Sequence, residues 1–183
     1  MRVSIFFDLR AIHGEAELAA QLQAAMLQQA SGNSIFLAAL AANVLEHRPP
    51  LGLFRRFVVD RDGEHRDTLD LKRRGVLPLT EIVRLHALAA GITAVNTEQR
   101  LRELTAGKLL HLVDARNIGD ALHCIQQLRM QQQCEQINHG ELPGNQLNPG
   151  ELPRLAREQL RDAFTIIDEA QAAVRQRYRA GMA

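Results

Sequence analysis

The sequence predicts a mostly α fold: an antiparallel bundle of about six helices, a small β-hairpin and one leftover N-terminal strand. Three observations carry this. Leu, Ala, Gln, Arg and Glu, all good helix formers, dominate the 183 residues. Apolar residues recur at helical spacing in one stretch after another. Only two short regions are rich in β-branched and aromatic residues. Composition also excludes functions. Lys+Arg is 22 against 21 Asp+Glu, and aromatics are 4% with no Trp. A general nucleic-acid clamp or a base-stacking platform is therefore not expected. The longest apolar run, Ile35 to Ala42, is far short of the ~20 residues a membrane span needs. No targeting segment is visible, so a soluble, cytoplasmic protein without membrane contact is expected. Cys124 and Cys134 lie ten residues apart in one predicted helix. At helical rise they are about 15 Å apart, too far to bridge.

Each element has a local reason. Val3 to Phe7 is continuously apolar and reads as a buried strand ending at Asp8. Phe57-Val58-Val59 and His65 to Leu71, joined by Asp60-Arg61-Asp62-Gly63, read as a hairpin with an Asp-Gly turn. Glu15 to Gln29 is the first helix, with Leu18, Leu22 and Met26 on one stripe. Asn33 caps the second, Ile35 to His47, which Pro49-Pro50 ends. The third runs from Pro78 to Ala90 with Gly91 as its C-cap. Asn96 and Gln99 resemble a capping box for the fourth, Thr97 to Thr105. The fifth spans Asp114 to Ile137, aligning Ala121, Ile125 and Leu128. The last opens at Asn148-Pro149-Gly150-Glu151 and continues to Tyr178, with Leu160, Phe164, Ile167 and Val174 in a near-heptad stripe.

Three places depart from plain bundle logic. Asp8, followed by Arg10, stands at the end of an apolar strand, where sheet enzymes commonly place metal ligands. It can equally cap the strand or pair with Arg10. Lys72, Arg73 and Arg74 precede Gly75 and a helix start, and helix N-termini and lysines both attract phosphate. A solvated basic turn is the alternative. Arg129 lies on the inner side of the fifth helix with Gln131 and Gln132, and Asn145 and Pro149 follow; such polar groups can read a ligand or tie down the loop before the last helix.

These residues converge on a family. The chain resembles the C-terminal part of the nucleotidyltransferases that carry CBS or cyclic-nucleotide-binding domains upstream, the DUF294 group. The resemblance rests on Phe7-Asp8-Leu9-Arg10 with Gly14, Pro50-Leu51-Gly52-Leu53-Phe54, Leu69-Asp70-Leu71-Lys72 with Gly75 and Pro78, Leu88-Ala89-Ala90-Gly91-Ile92, Asn96-Thr97 with Arg100-Leu101, Leu128-Arg129, and Asn145, Pro149 and Leu152 with Leu160, Ala163-Phe164 and Ile167. The group is similar to PII uridylyltransferases and glutamine-synthetase adenylyltransferases, whose Lys-x-x-Gly-Gly element Lys72 and Gly75 partly match; Val76 stands in place of the second Gly.

The resemblance implies that residues 1–14 hold the last strand of a truncated nucleotidyltransferase domain and residues 15–183 a helical substrate-binding domain. Upstream catalytic and sensor domains of the same chain are then expected, in a signal-transduction role. It implies a nucleoside triphosphate as substrate and an unknown acceptor, with a protein side chain one candidate. Asp8 would be the third catalytic carboxylate and hold Mg2+ in the complete protein. Lys72, Arg73, Arg74, Gly75, Arg10, Arg129 and Asn145 would contact substrate. The superfamily's element, a Gly-Ser pair followed by Asp-x-Asp, does not occur here, since no Gly-Ser precedes the Asp60-Arg61-Asp62 of the turn, so this chain alone is expected to be inactive. A different expectation comes from the stripe of the last helix: an interaction or homodimerisation module of an inactive transferase-like regulator.

Overall fold

A computed structural model describes residues 3–60, 62–63 and 65–178. Among them are six α-helices and one two-stranded antiparallel sheet. The helices are α1 (Ala16–Ser31), α2 (Ser34–Glu46), α3 (Leu77–Ala89), α4 (Thr97–Ala106), α5 (Leu112–Asn138) and α6 (Arg154–Arg177). The strands are β1 (Leu69–Asp70) and β2 (Gln146–Leu147). The mostly α expectation holds, and the caps explain the boundaries. Phe36 N–H donates to Asn33 Oδ1 at 2.9 Å, and Gln99 N–H to Asn96 Oδ1 at 3.1 Å, so each asparagine satisfies an orphan donor of its helix. Gly91, at φ +69°, ends α3, and Ile92 N–H reaches back to the Ala87 carbonyl. That left-handed step suits glycine.

The first strand is a correction. Val3–Asp8 forms a 3₁₀ helix, not a strand. Phe7 is buried while Ile5 and Phe6 are exposed, so a single face of the segment packs inward. The sheet also pairs differently from the expected hairpin. β1 lies against β2, with Leu69 opposite Leu147 and Asp70 opposite Gln146. The 57–68 segment closes through Asp60 N–H to the Thr68 carbonyl and Asp67 N–H to the Asp60 carbonyl. Arg61 and Glu64 of that turn, like Met1 and Arg2, lie outside the described residues.

Two helices differ in detail. In α1 the inward residues are Leu27 and Ala30, whereas Leu18 and Leu22 of the expected stripe are exposed. The helix α6 starts at Arg154, later than Asn148 suggested. Pro153 explains this: it lacks an N–H and pushes Leu152 away from helical geometry. Asn148 instead closes a turn, its Oδ1 accepting from Gly150 N–H at 2.9 Å.

The chain divides into two compact units. Unit one comprises residues up to Glu46, Thr80–Ala115 and the segment from Gln171 onward. Its core includes Leu40, Val44, Ile82, Leu85, Leu104 and Val174. Unit two comprises His47–Leu79 and Arg116–Ala170. Leu69, Leu71, Ile125, Leu160, Phe164 and Ile167 are fully buried there. The apolar stripe of α6 is thus consumed by the protein's own interior. No helix among the described residues is long and apolar enough to cross a membrane.

Candidate functional site

Unit two holds a cleft of about 660 Å3. Its walls come from three pieces of chain: the hairpin carrying Arg56 and Phe57, the turn Asn148-Pro149-Gly150, and the first two turns of α6 with Arg154, Arg157, Glu158 and Arg161. Among the described residues its lining includes four arginines and two acids, Asp67 and Glu158. The hairpin is locally built. Leu51 bridges Phe57, and Gly52 N–H donates to the Arg56 carbonyl at 2.8 Å. Phe54 and Arg55 at its tip have φ of 59° and 55°. Left-handed conformations in two successive non-glycine residues cost energy, and the surroundings must hold them.

They are held from α6. Arg55 donates to Asp162 Oδ1 and to Thr165 Oγ1, both at 2.7 Å. Arg161 Nε donates to the Arg55 carbonyl at 3.1 Å, and its guanidinium stands 5.4 Å from the centre of the Phe57 ring. Phe57 packs edge-on to the buried Phe164. So Arg161 is structural in part. Arg154 pairs with Glu158 at 2.9 Å, and that hydrogen bond raises its pKa. Arg56 and Arg157 have no acidic partner among the described residues.

Placement sharpens the point. The first turn of α6 carries no acid, although the helix dipole favours anions there. Arg154 and Arg157 stand instead at the positive end of the helix. Such an arrangement is disfavoured in isolation and is relieved by a bound anion.

The residues singled out from sequence lie elsewhere. None of Asp8, Arg10, Lys72, Arg73, Arg74, Gly75, Arg129 and Asn145 lines this cleft. Asp8 is in unit one, within a network of charge. Arg100 Nη2 donates to Asp8 Oδ1 at 2.6 Å, and Arg84 grips the same carboxylate through Nε at 3.3 Å and Nη2 at 2.5 Å. Arg84 also donates to Glu81 at 2.6 Å, and Ser4 Oγ donates to Glu81 at 2.9 Å. Burial lowers the Arg100 pKa, and the hydrogen bond to Asp8 offsets part of that. Arg84 is also penalised by burial, but its bonds to Asp8 and Glu81 outweigh it and raise its pKa. Arg10 is exposed and is not the partner of Asp8.

The basic turn is equally informative. Lys72–Val76 is one π-helical turn leading into α3, with Leu77 N–H donating to the Lys72 carbonyl. Asp70 Oδ1 caps it by accepting from Arg73 N–H at 2.8 Å. Lys72 and Arg73 are exposed. Gly75 is buried, and a Cβ there would meet Ile125 Cδ1 and Cγ2 at 2.9 Å. The absence of a side chain at Gly75 permits this close packing. Asn145 accepts Leu71 N–H through its backbone carbonyl at 2.9 Å, and so ties its loop to β1. Arg129 is half-buried on α5.

A second cavity, of about 350 Å3, contains Asp120, His123, Cys124 and Asp162. Burial, with Asp162 nearby, pushes the Cys124 thiol up, so it is not poised as a thiolate.

The comparisons with known proteins bear on these geometries. The family model described as "Putative nucleotidyltransferase substrate binding domain" (DUF294_C) matches residues 34–178. The chain belongs to this family. The match includes every residue of the arginine cleft, whereas Asp8 and Arg10 fall outside it. Neither the comparison with curated proteins nor that with solved structures found a match. Magnesium, which nucleotidyl transfer implies, requires clustered oxygen ligands. No group of three or more His, Cys, Asp or Glu among the described residues could hold a metal ion. Both oxygens of Asp8 are taken by guanidiniums. The described residues of this chain therefore do not by themselves fit a magnesium site.

Proposed function

We propose that this substrate-binding domain holds the phosphates of a nucleoside triphosphate in the arginine cleft of unit two. The carrying observation is that Arg56 and Arg157 line a concave site and have no acidic partner among the described residues. Guanidinium groups match phosphate with paired, charge-assisted N–H donors. The cleft volume of about 660 Å3 falls in the usual range for small-molecule pockets. Arg154, Arg157 and the positive end of α6 would receive one end of the polyphosphate; Arg56 would close on it from the hairpin. In this reading the domain binds and orients. The bond-making carboxylates and any magnesium belong to a catalytic domain of the complete protein, which transfers the nucleotidyl group to an acceptor, a protein side chain being the class we favour, in signal transduction.

Calorimetric titration of this chain with the four common nucleoside triphosphates tests the reading. Binding is expected, and Arg157→Ala should weaken it roughly ten- to a hundredfold, the loss of one charge-assisted contact. The melting temperature should not move. The proposal fails if no triphosphate binds, or if Arg157→Ala binds as tightly as the parent.

A further inference from the structure

We infer that the cleft takes the metal-free polyphosphate and discriminates against its magnesium complex. This rests on the cleft being the nucleotide site. Among the described residues the cleft lining carries an excess of two positive charges, from four arginines against Asp67 and Glu158. The N-terminus of α6 adds a partial charge of the same sign. Of the two carboxylates, Glu158 is already held by Arg154 at 2.9 Å. The other, Asp67, is exposed and stands 3.5 Å from Arg66, so among the described residues both carboxylates of the cleft lining already have an arginine beside them.

The charge on the ligand then decides. A free nucleoside triphosphate carries roughly four negative charges at neutral pH, since its terminal phosphate ionises twice with a second pKa near 6. A bound magnesium ion cancels about half of that. It also occupies the phosphate oxygens that arginine forks would otherwise take. Both effects act in the same direction against guanidinium-based recognition. Magnesium-dependent sites do the reverse, placing carboxylates around the metal.

The test is titration of ATP and of inorganic tripolyphosphate into the chain, once with EDTA and once with excess magnesium chloride, at matched ionic strength. Binding is expected to be about tenfold tighter in EDTA for both ligands, as a charge-governed site requires. Arg56→Gln and Arg157→Gln should each reduce that preference. Binding that is equal in the two arms, or tighter with magnesium, overturns the inference and leaves the cleft as the nucleotide site. Binding in neither arm overturns the assignment of the cleft itself, and the inference with it.

Discussion

Two groups of arginines in this chain have opposite surroundings. Arg84 and Arg100 of unit one are buried, and both converge on Asp8. Arg56 is exposed and Arg157 half-buried, and neither has a carboxylate partner among the described residues. A guanidinium removed from water must be paired, so the first group is fixed structure. A guanidinium left unpaired in a concave, wet site keeps its hydrogen-bonding capacity for something else. The acid that looked most like chemistry in the sequence therefore belongs to the group whose charges are already satisfied.

The largest expected effect comes from Asp8. Asp8→Asn would leave Arg100, 2% exposed, without its carboxylate partner, while Arg84 keeps Glu81. Breaking one side of such a pair typically costs about 3–5 kcal/mol. For a domain of this size that is a melting temperature lower by roughly 10 °C. Urea unfolding would read the loss directly, and nucleoside triphosphate affinity should stay within twofold. Stable protein with abolished binding would reverse the comparison and make Asp8 a functional acid.

His86 extends the contrast to a base buried without an acid. Its ring packs beside Tyr178, with Nδ1 3.1 Å from the hydroxyl. Burial, and then the charge of Arg177, pushes its pKa down to about 4 from 6.5. Arg84 and Arg100 keep their charge because Asp8 supplies a counter-charge; His86 stays neutral because nothing does. The sign follows. Between pH 6.5 and 4 the unfolded chain binds a proton that the folded chain refuses, so stability falls as pH drops through that window. By pH 4 the loss is roughly 3 kcal/mol. His86→Gln removes this titration. The stability gap between parent and variant should narrow by about 2 kcal/mol from pH 7 to pH 4.5; parallel curves would show that His86 is not buried neutral.

The sequence made some of this legible and hid the rest for physical reasons. Helix positions were readable because their caps act locally: Asn33, Asn96 and Gly91 all work where expected. The apolar run before Asp8 was ambiguous, since a short apolar segment has no period that separates strand from helix. The sheet partner was invisible, because a two-residue strand such as Gln146–Leu147 has no pattern. The α6 wall of the cleft was readable in part, from Arg154, Arg157 and Arg161 at three- and four-residue spacing on one face of a helix, although the expected start at Asn148 hid the acid-free first turn. The contribution of Arg56 was not, because its hairpin is fixed by Arg55 reaching Asp162, 107 residues away.

The smallest expected effect distinguishes the two candidate phosphate sites within unit two, the 72–76 turn and the cleft. A Cβ at Gly75 would press on Ile125 and come 3.5 Å from Phe164. Overpacking of this kind costs about 1–3 kcal/mol, and the better helix propensity of Ala returns at most about 1. Gly75→Ala should therefore destabilise by about 1–2 kcal/mol. Ile125→Val deletes one of the two colliding atoms, Cδ1, and keeps the other, Cγ2, so the glycine substitution should cost somewhat less in that background; a double-mutant cycle measures the coupling. Triphosphate affinity should be unchanged in all three variants. Were the turn a phosphate cradle, the outcome would invert. Ile125→Val could not rescue a lost approach of ligand to backbone, and affinity would fall while stability held.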